Sequence, residues 1–214
     1  MSKENREYRS MAALNVRDVE GEEGGKMIVE GYATTFNDPY ILYADDEIEI
    51  REEISPDAFN NADMSDVIMQ YDHAGRVFAR IRNNTLTITP DETGLFVSAD
   101  LGGTDIGRGL YQEIAGGYTD KMSFGFTVAE DEREIVSNNT DDKTKMIRRI
   151  TKIGKLYDVS AVSLPQNPGT SISARFLDGA IEEARSERIK ALELIEKRER
   201  LSVRIRALKG EEAE

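Results

Sequence analysis

The chain has 214 residues, enough for one ordinary domain and an appendage. It has no cysteine and one histidine, which excludes disulfides, thiolate zinc sites and thiol nucleophiles and leaves little from which to build any zinc centre. A net charge of −13, with 39% apolar and 32% charged residues, argues against a nucleic-acid binder that neutralises phosphates and fits a small core under a highly solvated surface. Residues 1–25 are polar and end in the loop Gly21 to Gly25, with Met11 to Val16 able to pair as a first strand. The N-terminal charges are followed by no apolar stretch, so no signal peptide is read, and no run approaches the ~18 apolar residues of a membrane span. A start in a cytoplasm is the expectation.

Lys26 to Phe36 alternates as a strand, with Ile28, Glu30 and Tyr32 opposite Met27, Val29 and Gly31. Residues 37–53 hold a turn at Asn37 to Pro39 and an acidic segment, Asp45 to Glu53, in which no element is read. Ser55 and Pro56 stand at the N-cap and first position of a short helix ending near Phe59. Strands are predicted over Val67–His73, Thr85–Thr89 and Gly94–Leu101, the last two joined by the turn Pro90 to Gly94. Thr104 caps a helix that runs to about Ala115 and stops at Gly116 and Gly117. Lys121–Glu130 reads as a strand, Asp131–Asp142 as a mobile connection, and Lys145–Ile153 and Leu156–Leu164 as the last strands before Pro165 to Gly169. From about Phe176 to Lys209 the charges alternate in sign around an irregular apolar stripe, the pattern of a long charged helix. It serves either as a solvated helix packed on the domain or as a coiled-coil or scaffold-contacting arm.

Chemistry centres on three segments. An imidazole, with an ordinary pKa of about 6.5, is the natural base near neutral pH, and His73 is the only one available. Strand parity places His73 on the face of Val67, Met69 and Tyr71 and turns Asp72 away, so its orienting carboxylate has to come from elsewhere. In Met122-Ser123-Phe124-Gly125-Phe126 the large apolar residues share the core face, leaving Ser123 beside Gly125 with open space above the hydroxyl. Asp158, inside the otherwise apolar or small strand Leu156 to Leu164, needs a partner. Ser160 lies on the face of Asp158 and is the rival nucleophile to Ser123, without a nearby glycine to open space.

Six segments occur in an order that resembles the prohead serine proteases of tailed bacteriophages: Glu30-Gly31-Tyr32-Ala33, Ser55 to Phe59, Tyr71-Asp72-His73, Asp91 to Leu95, Met122 to Phe126 and Asp158 to Ser163. The likeness covers roughly residues 26–175 and separates a polar N-terminal segment, 1–25, from a charged C-terminal helix or tail, 176–214. It implies an α+β fold, a mainly antiparallel β-barrel flanked by helices, similar to the herpesvirus assembly proteases. It further implies His73 as base, Ser123 as nucleophile and Asp158 as third member, at a position where the family often has Glu. The herpesvirus relatives use a second histidine there, which this chain lacks.

The implied activity is a serine endopeptidase without cofactor or metal. Its implied place is the host cytoplasm, inside the assembling prohead, where it cuts the scaffolding portion of the major capsid protein and itself. Enclosure with its substrate gives a high effective concentration. A possible homo-oligomer stays open, and no nucleic acid or membrane partner is expected. For the oxyanion hole, the backbone N–H groups of Gln166 to Gly169 are the candidates. The alternative is a non-catalytic capsid assembly or scaffolding protein, which the long C-terminal helix would suit. An unrelated esterase or amidase is disfavoured because no Gly-x-Ser-x-Gly elbow is present.

Overall fold

Ten strands and two α-helices occupy the residues described by the computed structural model, which are 6–18, 26–137, 143–163 and 174–209. The strands are β1 Glu7–Asp18, β2 Met27–Thr35, β3 Tyr40–Ala44, β4 Ile48–Ile54, β5 Ile68–Tyr71, β6 Ala74–Arg80, β7 Leu86–Pro90, β8 Gly94–Asp100, β9 Lys121–Ser137 and β10 Thr144–Val162. The helices are α1 Asp105–Ala115 and α2 Ala174–Lys209. Hydrogen bonding orders the strands β3-β4-β10-β9-β1-β2-β8-β7, with β5 paired to β10 and β6 to β5. The result is a mixed α+β fold whose strand path does not return on itself, so the barrel expected from the resemblance is not closed. Most pairs are antiparallel, but β10 runs parallel to both β4 and β5.

Predicted and observed elements agree where the signal is local. β2 falls where alternation places it, β8 falls within the strand expected after the Pro90 to Gly94 turn, and the Thr104 hydroxyl accepts from the Gly107 N–H at 3.1 Å to cap α1. In the turn before β8, the Asp91 carboxylate accepts from the N–H groups of Thr93 and Gly94 at 2.7 and 3.0 Å. The short helix after Ser55 is a single 3-10 turn, Pro56–Phe59, and Ser55 makes no side-chain cap bond.

The largest departures lie in the hairpin. β9 continues to Ser137, through residues that read as a connection, because Arg133, Glu132 and Glu134 face Arg148, Arg149 and Ile147 across the ladder. Residues 138–142 lie outside the described residues. The two predicted last strands are one, β10, with register shifts between Ile150 and Lys155 and between Leu156 and Asp158. Such bulges bend a strand, and β10 pairs with β4 before them and with β5 after them.

β3 and β4 lie in the segment where the sequence shows no element; in β4 the acidic residues hide the apolar alternation. Ile48, Ile50 and Ile54 are fully buried, and so is Glu52. Glu52 lies in an ionic cluster that joins four strands. Arg9 donates to both Glu52 oxygens at 2.5 and 2.9 Å and to Glu7 at 2.5 Å. Arg148 donates to Glu52 at 2.7 Å, to Glu7 at 2.9 and 3.2 Å and to Asp131 at 2.6 Å. The Tyr40 hydroxyl donates to Glu52 as well. Burial alone would raise the Glu52 carboxyl, but the Arg9 and Arg148 guanidiniums outweigh it and hold Glu52 below the ordinary carboxylate range.

The main core lies under β9, whose Met122, Phe124 and Phe126 are fully buried as alternation requires, with the two phenyl rings stacked at 4.7 Å. It includes Leu110, Tyr111 and Ile114 of α1. A smaller cluster, Leu42, Ile48, Ile50 and Met146, receives Ala180 and Ala184 from the first turns of α2. Beyond them, Ile189, Leu192, Ile195, Leu201, Val203, Ile205 and Leu208 are exposed. No helix among the described residues is long and apolar enough to cross a membrane.

The ionic cluster sets the first expectation. Glu52→Ala leaves two buried guanidiniums, Arg9 and Arg148, with Glu7 as the one carboxylate they still share, a loss of about 3–5 kcal/mol. Urea unfolding of the variant checks it, with a midpoint near that of the native chain as the contrary outcome. Because Glu52 is depressed in the fold, its contribution is present above the ordinary carboxylate range and fades as pH falls through the depressed value.

Candidate active site

The site is built on three adjacent strands whose registers align. Tyr8 of β1 pairs with Gly125 of β9, which pairs with Asp158 of β10. One step along, Ser10, Ser123 and Ser160 form a second row. Side chains of paired residues lie side by side on one face of a sheet. Asp158 therefore stands over Gly125 and diagonal to Ser123.

Gly125 has a function that sequence reading missed. The space above it is not open, as a glycine near Ser123 suggests. A Cβ placed there would meet Asp158 Oδ2 at 2.5 Å and Tyr8 Cε1 at 2.8 Å. The glycine makes room for the carboxylate and the ring beside the serine.

His73 arrives from a different element than predicted. β5 ends at Tyr71, and Tyr71 pairs directly with Ala74, so Asp72 and His73 form a two-residue hairpin turn. Both have positive φ, 47° and 56°, as such turns require. Non-glycine residues in that region cost roughly 1 kcal/mol or more each and need support. The support is local: the Asp72 N–H donates to Ala161 O at 2.9 Å, and its carboxylate accepts from the Ser163 N–H and hydroxyl, each at 3.1 Å. Asp72 is thus committed to β10 and does not orient His73. The outcome matches the parity argument, but the cause is the turn and not strand alternation.

The structure brings the three sequence-predicted residues together. His73 Nδ1 lies 2.5 Å from Asp158 Oδ1, and His73 Nε2 lies 2.6 Å from Ser123 Oγ. An ionised Asp158 can only accept, so Nδ1 carries the proton and donates, and Nε2 accepts from the serine hydroxyl. The His73 side chain is 14% exposed, Asp158 2% and Ser123 3%, so the imidazole is the most solvent-exposed of the three.

Ser160, the rival nucleophile, is fully buried and donates to Asp158 Oδ1 at 3.0 Å, the oxygen that also takes the His73 proton donor. Its hydroxyl is committed to the Asp158 carboxylate and has no exposure to solvent. Two further residues come from the N-terminal segment, Arg6 just before β1 and Tyr8 within it. Arg6 Nη1 is 3.9 Å from Asp158 Oδ2, and its guanidinium stacks 3.7 Å over the Tyr157 ring. The Tyr8 ring lies 4.3 Å from the imidazole, tilted by 57°. Neither carries a local sequence signal, because what makes them relevant is the pairing of β1 with β9. The proposed oxyanion donors, Gln166 to Gly169, lie outside the described residues, and no group of acidic or histidine ligands able to hold a metal ion occurs among the described residues.

No sequence among curated proteins matches the chain. Among solved structures, the capsid assembly protease of bacteriophage T4 is similar at 12% identity, over 73% of this chain and 98% of that one, with a TM-score of 0.41. A family profile, the caudovirus prohead serine protease, matches residues 12–186, a span that contains His73, Ser123 and Asp158. The chain belongs to the caudovirus prohead serine protease family.

Proposed function

We propose that the chain is a serine endopeptidase in which Ser123 is the nucleophile, His73 the general base and acid, and Asp158 the group that orients and charges the imidazole. The observation that carries this reading is the bridging imidazole, within hydrogen-bond distance of a hydroxyl on one nitrogen and a buried carboxylate on the other. In the first step the Ser123 proton moves to His73 Nε2 as Oγ attacks the peptide carbonyl. Asp158 accepts the Nδ1 proton's hydrogen bond throughout and stabilises the imidazolium. His73 then gives its proton to the departing amine as the C–N bond breaks, leaving an acyl-serine. Water, deprotonated by His73, cleaves that ester and restores the hydroxyl. The buried hydroxyl of Ser160 holds Asp158 by a second hydrogen bond, which supports a fixed carboxylate in place of the second histidine used by the herpesvirus relatives.

Family membership supports a capsid-maturation setting. The substrate proposed within it is the scaffolding portion of the major capsid protein, together with this chain itself, inside the assembling prohead. The competing reading, a non-catalytic assembly protein, draws on the exposed apolar residues of the outer half of α2. A serine-directed phosphonate separates the two, since only an activated Ser123 is labelled.

Ser123→Ala should abolish cleavage of a co-expressed capsid protein, a loss on the order of 10³-fold or more, while leaving the fold intact. His73→Ala should cost about as much, and the double variant little more, because the two side chains act as a unit. Full additivity in single-turnover assays would separate their roles and remove the shared mechanism. Asp158→Asn keeps the size of the side chain but not its charge, so turnover should drop steeply, toward ~10⁴-fold by analogy with other triads, with little change in binding. Native turnover in that variant would leave a Ser–His dyad.

A further inference from the structure

The two hydrogen bonds of His73 define its position incompletely. They leave from opposite ends of the ring, from Nδ1 to Asp158 and from Nε2 to Ser123. Both can persist while the imidazole tilts about the line that joins them. The backbone offers limited restraint, because His73 is the second residue of a two-residue turn and the strand after it begins with exposed residues, Ala74 to Val77. A ring held at both ends still needs a wall against one face.

Tyr8 supplies that wall. Its ring centroid is 4.3 Å from that of His73, with the planes inclined at 57°. The ring itself is fixed in three ways. It lies over Gly125, where a Cβ would approach its Cε1 to 2.8 Å. Its strand is paired with β9 in the register Tyr8 to Gly125. Its neighbour Arg9 is fully buried in the ionic cluster, and Arg9 Nη1 donates back to the Tyr8 carbonyl at 2.9 Å. The cluster thus anchors the strand one residue from the ring that touches the imidazole.

We propose that Tyr8 is a positioning residue for His73: its ring sets the plane of the imidazole and keeps Nε2 aimed at the Ser123 hydroxyl. The N-terminal strand is then part of the active site through Tyr8, which acts on the imidazole and not on the substrate. The proposal rests on the serine-protease reading for its kinetic consequence, but the contact itself can be read without any substrate.

The test uses the full chain with Tyr8→Leu and Tyr8→Phe. His73 is the only histidine, so its imidazole resonances are identified without ambiguity. In Tyr8→Leu they should shift and broaden. Labelling of Ser123 by a serine-directed fluorophosphonate, resolved into binding and inactivation, should lose about 10- to 100-fold in the inactivation rate with binding nearly unchanged, the effect expected of a slightly misplaced base. Tyr8→Phe keeps the ring and should recover labelling to within about threefold of native. In a His73→Ala background Tyr8→Leu should cost nothing further, because its effect passes through the imidazole. Melting curves check the fold, and if Tyr8→Leu does not fold, Tyr8→Val, better suited to a strand, replaces it.

Unmoved His73 resonances in Tyr8→Leu, native labelling in that variant, no rescue by Phe, or an equal loss without His73 would each overturn the proposal. Failure of the native chain to be labelled, with His73 resonances that do respond to Tyr8→Leu, would instead sink the protease reading and leave the contact standing.

Discussion

A side chain at position 125 would occupy the space that the Asp158 carboxylate and the Tyr8 ring now share. The rest of the site follows from that absence. With Gly125 central in a three-strand row, a residue from each outer strand leans inward, and both meet over the serine's strand. The carboxylate then lies low enough to be reached by Ser160 from its own strand and by His73 from above. The row depends on register. A slip of one residue between β9 and β10 would send Asp158 to the opposite face.

Register is itself held by the charged interior. Glu7, Arg9, Glu52, Asp131 and Arg148 come from β1, β4, β9 and β10 and satisfy one another's hydrogen bonds. Hydrophobic residues of equal volume could stabilise such a junction as well, since buried ion pairs gain little net energy over apolar packing. What the ions add is a cost to misalignment, because a shift that parts Arg9 or Arg148 from its carboxylates leaves a buried charge unpaired. In this fold that cost falls one residue from Tyr8 and on the strand pair that carries Ser123 and Asp158, so a device that specifies the sheet also aligns the site.

The long helix obeys different physics from the body. Its first turns bury Ala180 and Ala184 against β4 and β10, with Arg185 bonded to Asp45 at 3.0 Å and Arg133 to Glu183 at 3.1 Å. At 36 residues it is about 54 Å long, and its apolar residues from Ile189 onward are exposed. Its outer part stays helical through propensity and pairs such as Glu196 with Arg200 at 2.5 Å, each worth only a few tenths of a kcal/mol. The weak apolar stripe in the sequence corresponds to a helix that is half docked and half projecting.

The sequence by itself determined the short-range features: alternation in β2 and β9, the Thr104 cap, the Asp91 turn, the charged helix, and the singular status of His73 in a chain without cysteine. It also marked Asp158 as a carboxylate in need of a partner, because an ionisable group in an apolar strand is costly when unpaired. Only the tertiary structure decided the remainder. β4 is hidden because Glu52 reads as a surface residue until Arg9 and Arg148 are brought to it from 43 and 96 residues away. His73 was placed on a strand because a two-residue turn of Asp and His has no glycine to announce it. Tyr8, Arg6 and the supporting role of Ser160 are consequences of strand order. Pairing β1 with β9 and β9 with β10 is a contest among long-range alignments, settled by the fit of buried side chains across strands, and no local window of residues contains that information.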